Sequence, residues 1–140
     1  MRRLLVPVDS SEGSIKAAEF AANLVRDTEG ELTLVYVYDM PAATATGLAA
    51  LTQAQLDDTK ARVAQASFAS AKRAIGDLEV REHLVEVGDP AEEIVKTAKR
   101  CGATQIVMGG RGLSPIKELL LGSVSERVAR SAHCPVTIVR

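Results

Sequence analysis

Three glycines crowd behind the apolar run that ends at Met108: Gly109, Gly110 and Gly112. Nine residues then separate Gly112 from a fourth glycine, Gly122, which is followed at once by Ser123. A glycine carries no Cβ, so its backbone can approach another group closely. Each costs roughly 0.5–1 kcal/mol relative to Ala in regular structure, so a plain turn would not need three. Backbone N–H groups in such a turn, or at the start of a helix, suit an anion such as a phosphate. A second polar group follows another apolar run: Asp9, directly after Leu4–Val8. A single carboxylate there could hold Mg²⁺ against phosphates.

The familiar phosphate fingerprints are missing. No G-x-x-x-x-G-K-[ST] occurs, and the G-x-G-x-x-G pattern fails because Gly110 and Gly112 lead to Pro115. No Ser-His-Asp or Cys-His arrangement is readable, and no carboxylate pair for acid–base work. Nothing supplies the lysine and base that make phosphoryl transfer fast. His83 and His133 show no metal-ligand spacing. His133 is expected to be structural. Cys101 and Cys134 are too few for a disulfide framework, so both are expected to be reduced and structural.

These residues must be positioned by an alternation of short apolar runs and longer helical patterns. The runs Leu4–Val8, Leu32–Tyr38, Glu79–Val87, Thr104–Met108 and Pro135–Val139 read as strands. Pro7 must lie near its strand's end. Helical spacing covers Ser11 to about Arg26, then Gln53–Ile75, then Pro90 to about Arg100, and lies within Leu119–Ala132. Asp89 caps the third helix, with Pro90 at its first position and Glu92 in its first turn, and Gly102 closes it. Met40–Leu51 has no clear period and reads as a loop. Five strands alternating with four helices predict one α/β domain, residues 1–140, built on a parallel sheet with helices on both faces. Ligands bind such sheets outside the carboxyl ends of the strands, where the winding reverses. Pro7–Ser14, Val35–Pro41 and Val107–Ser114 all land there.

Composition narrows the function further. With 17 basic and 18 acidic residues the net charge is −1, so no strong field recruits nucleic acid or an anionic membrane. Aromatic residues are only 3% of the chain, which disfavours both base stacking and a flavin sandwich. Hydrophobic residues at 46% are enough for a real core. No run reaches the roughly 18 apolar residues that span a bilayer. The opening MRRLLVPVDSSEG breaks too early for a signal peptide, so the expected location is cytoplasmic.

Gly109-x-x-Gly112, nine residues, then Gly122-Ser123 resembles the nucleotide-binding signature of universal stress proteins, in their ATP-binding branch. The opening VPVDSSEGSIKA (Val6–Ala17) and the close GSVSERVARSAHCPVTIVR (Gly122–Arg140) are similar to that family too. The resemblance implies a Rossmann-like sheet of order 3-2-1-4-5, with its switch point between strands 1 and 4. It places Asp9 by the ribose and metal, and Pro7, Val8 and Val37 near the adenine. It wraps Met108, Gly109, Arg111 and Gly112 around the ribose and phosphates, and sets Gly122, Ser123 and Val124 against the phosphates. It implies ATP and Mg²⁺ as ligands, and a homodimer formed through Val136–Val139. The output it implies is a nucleotide-dependent surface in stress signalling. Two positions depart from the family's usual residues: Thr104, where Asp is common, and Gly110, where Ser is commoner.

Plainer readings stand beside these. Ser123 and Glu126 form S-x-x-E, a capping box, and Asp9 with Glu12 forms D-x-x-E. Gly122 could serve a turn alone. Arg111 could be a solvated arginine, Val8 and Val37 core residues, and Lys117 and Glu118 a solvated helix start. Function has rivals as well: a slow metal-dependent ATPase using Asp9, a flavodoxin-like carrier, or a ligand-free dimer. The Met40–Leu51 segment could meet an unidentified protein partner.

Overall fold

The computed structural model describes residues 1–39, 52–110 and 121–140. In chain order the elements are β1 (Arg3–Pro7), α1 (Glu12–Arg26), β2 (Glu31–Tyr38), α2 (Gln53–Ile75), β3 (Glu82–Val87), α3 (Pro90–Arg100), β4 (Gln105–Gly109), α4 (Ser123–Ser131) and β5 (Val136–Val139). All pairings are parallel, and the sheet order is β3-β2-β1-β4-β5, as the resemblance implied. Parallel neighbours need a crossover connection, and the helices supply it.

Strand residues alternate between two cores, because successive side chains point to opposite faces. Leu4, Val6 and Val8 join Leu32, Leu34 and Val107 under α1 and α2. Leu5, Val35, Ile106 and Met108 join Ala91, Ile94 and Ala98 of α3 and Val128 of α4. Both faces of the central strands are therefore buried, which is why their sequences read as unbroken apolar runs. The winding reverses between β1 and β4. Thr104 stitches these two strands at their start: its hydroxyl accepts from Arg3 N (2.9 Å) and donates to Arg3 O (3.1 Å).

Some boundaries differ from the sequence reading. β1 ends at Pro7 rather than Val8, although Val8 N still donates to Val35 O at 2.9 Å. β3 begins at Glu82 rather than Glu79. Leu78 and Val80 pack on the core before the chain joins the ladder, so their apolar pattern extends past the hydrogen bonding. α3 runs Pro90–Arg100 with Asp89 as its cap, as expected, and Gly102 reverses the chain at φ +66°. The expected loop Met40–Leu51 lies outside the described residues. Among the described residues, no helix is long and apolar enough to cross a membrane.

Candidate functional site

The carboxyl ends of β1, β2 and β4 meet the N-termini of α1 and α4 at the switch point. Gly109 ends β4, and a Cβ built on it would lie 2.6 Å from the carbonyl carbon of Gly13 and 2.8 Å from its oxygen. The backbone that requires a glycine at 109 is thus the first turn of α1. Gly109 is buried, and its carbonyl accepts from the buried Ser125 hydroxyl at 2.7 Å. Spacing alone suggests a glycine that opens toward a ligand; its side-chain position instead faces α1.

Gly110 continues the turn. Its N–H donates to Val139 O at 3.3 Å, and its carbonyl accepts from Gly122 N. This last bond brings Gly122 back to the end of β4 and fixes where α4 begins. Gly122 is the N-cap, with extended backbone, and among the described residues no side chain caps this helix. The capping box read at Ser123 and Glu126 is therefore corrected: Ser123 is the first helical residue, one place too late to cap. The first intrahelical bond is Glu126 N to Gly122 O, at 3.0 Å. The N–H groups of Ser123, Val124 and Ser125 are left at the open end of the helix. Each of the other helices is capped by a side chain: Ser11 on α1, Thr52 on α2 and Asp89 on α3. The Ser123 side chain is exposed, and Val124 is half-buried against the α3/α4 core.

The cap read at Asp9 is corrected in the same way. Ser11 takes that role, accepting from Ser14 N at 3.2 Å. Asp9 sits two residues further out, where its Oδ1 accepts from Ser11 N at 3.0 Å and its own N–H donates to Ser14 Oγ at 3.3 Å. Its carboxylate is half-buried, and no other hydrogen bond reaches it among the described residues. Between them stands Ser10, a non-glycine residue at φ +67° whose hydroxyl pairs with that of Ser67 on α2 at 3.0 Å. A left-handed residue of this kind costs on the order of 1–3 kcal/mol, and such residues cluster at functional turns.

The apolar candidates divide between the two faces. Val37, Met108 and Val124 come together on the α3/α4 side. Val8 belongs to the α1/α2 core and is only 3% exposed. Pro7 and Val37 are half-buried at the strand ends, whereas Met108 is buried. Sequence reasoning missed Tyr36, which lies on the same face as Val8. Burial pushes its phenol above the ordinary value, and the charges of Tyr38 and Asp9 push it further. The alternation VYVYD was the available signal: it puts Tyr36 and Tyr38 on one face at the mouth of β2. Arg111, Gly112, Lys117 and Glu118 lie outside the described residues. Among those described, no group of three His, Cys, Asp or Glu could hold a metal.

The whole chain, residues 1–140, matches the family model described as the universal stress protein family. Universal stress protein YxiE of Bacillus subtilis is 34% identical over 145 residues, covering 99% of this chain and 98% of that protein. The solved structure of MJ0577, a universal stress protein of Methanocaldococcus jannaschii, superposes with a TM-score of 0.83 at 29% identity, covering 99% of this chain and 94% of that one. A universal stress protein solved in complex with cAMP gives a TM-score of 0.68 at 27% identity, covering 99% and 96% of the two chains. The match along its whole length, together with the shared five-stranded fold, makes this chain a member of the universal stress protein family.

Proposed function

We propose that this protein is an ATP-binding member of its family, a nucleotide-dependent, homodimeric module of stress signalling in the cytoplasm. The observation that carries the reading is the start of α4: three successive N–H groups with no side-chain cap among the described residues, held beside the end of β4 at the switch point. A helix N-terminus of this kind favours negative charge and offers donors to phosphate oxygens. A relative solved with cAMP supports an adenine nucleotide as the ligand class.

In this reading Gly122, Ser123 and Val124 bind the phosphates through backbone N–H groups. Gly109 sets the approach of α1 and so the width of the site, and Arg111 and Gly112 complete the wrap around the sugar and phosphates. Val37 and Met108 offer the adenine an apolar wall, with Pro7 and Val8 contributing at the end of β1. Asp9 fits Mg²⁺ as a single carboxylate ligand, since Mg²⁺ keeps several waters and is shared with substrate phosphates. The metal would neutralise phosphate charge; Asp9 orients it from the β1–α1 turn. The free edge of β5, Val136–Val139, pairs with its copy in the dimer.

Thermal unfolding of nucleotide-free protein tests the reading. A ligand at about 100 times its dissociation constant adds about 2.7 kcal/mol. For a chain of this size that is a rise of roughly 8 °C. The rise is expected with ATP and Mg²⁺ and not with GTP. No rise at millimolar ATP would leave a ligand-free dimer of the same fold.

A further inference from the structure

The two cysteines lie on one core at the end of the sheet opposite the proposed nucleotide site. Cys101 ends α3, its N–H bonded to Thr97 O at 2.9 Å and its thiol 3.7 Å from Ala98 O. Gly102 then turns the chain back toward β4. On the other side, Ile106 N donates to Pro135 O at 3.0 Å, and Ile106 is paired with Val136. This register lays Cys134 alongside the lead-in to β4, a few residues from Cys101. Both thiols are free and half-buried, and both pack against the same α3/α4 core.

Their surroundings differ. Cys101 lines an open groove of about 600 Å³ at the amino ends of the strands, together with Arg3 and Arg100. Arg3 bonds the adjacent Gly102 carbonyl at 2.7 Å, and Arg100 is paired with Glu86. Small solutes can reach this sulfur, and the attacking form in thiol chemistry is the anion. Cys134 is absent from that groove. Burial pushes its thiol up, and the charge of Cys101 pushes it further, against a backbone N–H of Ile106.

We infer that Cys101 and Cys134 form a redox pair, in which a hydroperoxide oxidises Cys101 and Cys134 closes the product to an intramolecular disulfide. In the first step the Cys101 thiolate attacks a peroxide oxygen and the O–O bond breaks; Cys101 becomes a sulfenic acid, and the other oxygen leaves with a proton from solvent as an alcohol or water. In the second, the Cys134 sulfur attacks the sulfenic sulfur, an S–S bond forms, and the hydroxyl leaves with the Cys134 proton as water. The cross-link would tie the end of α3 to the start of β5, and a thiol reductant would reverse it.

The test exposes the full chain to hydrogen peroxide, alkylates it under denaturing conditions and maps its peptides by mass spectrometry. The wild type should lose both alkylatable thiols and yield a Cys101–Cys134 peptide lighter by two hydrogens, with the thiols restored by dithiothreitol. Cys134→Ser should accumulate a dimedone adduct on Cys101, and Cys101→Ser should keep Cys134 reduced. Two thiols still alkylated in the treated wild type, or a disulfide found only between chains, would overturn the inference. So would oxidation of Cys134 in Cys101→Ser. The wild-type map decides the disulfide by itself should a serine variant fail to fold.

Discussion

At Gly109 a methyl group would stand 2.6 Å from the backbone of Gly13. Backbone cannot swing aside as a side chain can, so Gly109→Ala must push α1 away from β4. Overpacking of this kind costs about 1–3 kcal/mol. We predict that loss in urea unfolding; an unchanged midpoint would mean that α1 is not fixed by this contact. Ser123 allows the opposite experiment. Its side chain is exposed at the first position of α4. A carboxylate there favours the helix by about 0.3–1 kcal/mol through the helix dipole. The same charge would repel phosphates arriving at that end. Ser123→Asp should therefore unfold at the same or a slightly higher temperature while binding ATP about tenfold more weakly or worse. Unchanged ATP affinity would remove the phosphates from α4. At this scale the sequence showed which residues gather at the strand ends, but not what each does. Gly109 looked like an opening to a ligand because spacing cannot distinguish a close ligand from a close helix. Ser10 gave no signal, since left-handed backbone at a serine leaves no trace in residue type.

The helices show how neighbouring elements are locked in place. Asp89 caps α3, accepting from Glu92 N at 3.1 Å, and also grips Arg127 of α4 through both carboxylate oxygens at 2.9 and 2.8 Å. Removing the cap by Asp89→Ala should cost about 1 kcal/mol. Arg127→Ala should cost less, because it breaks only a solvent-facing pair. The same pair sets an acid response. The hydrogen bond from Arg127 holds the Asp89 carboxyl below its ordinary value, with the Glu92 N–H helping. A depressed carboxylate stabilises the fold above its unfolded value, about 3.9, and that contribution is lost as pH falls through its lower folded value. Asp89→Asn should accordingly lose less stability than the wild type when both are acidified below about pH 4. Equal acid sensitivity in urea titrations would contradict this. The cap at Asp89 was legible because D-P-A-E-E places cap, proline and acid in sequence. D-x-x-E at Asp9 and S-x-x-E at Ser123 fit a cap by residue type alone, whereas backbone contacts choose the residue at which each helix starts. At α4 that choice is made by Gly122 N reaching Gly110 O, a contact between residues twelve apart in the chain.

For the molecule as a whole, the alternation of apolar runs and helical patterns carried the fold. The order of the strands came from family resemblance, since periodicity alone does not say where the winding reverses. The placement of Cys101 and Cys134 on one core was hidden for a related reason: only the pairing of β4 with β5 brings the ends of two distant segments to the same end of the sheet. That pairing also leaves one edge of β5 without a strand among the described residues. The carbonyls of Pro135 and Val139 point to β4. In a parallel ladder the intervening Val136 and Ile138 then direct their backbone groups outward. Ile138→Pro removes an outward donor, so under the proposed pairing of β5 edges the wild type should sediment as a dimer and the variant as a monomer, with far-UV circular dichroism confirming that the chain stays folded. A folded variant that sediments as a dimer would move the interface elsewhere.

The central claim is that the open end of α4 and the switch point beside it hold an adenine nucleotide. Calorimetric titration of nucleotide-free protein with ATP and Mg²⁺ tests it most directly. The account predicts saturable binding of one nucleotide per chain, lost when GTP replaces ATP. No binding heat at millimolar ATP, in protein shown to be folded and free of carried-over nucleotide, would contradict it and leave the glycines as packing and turn residues.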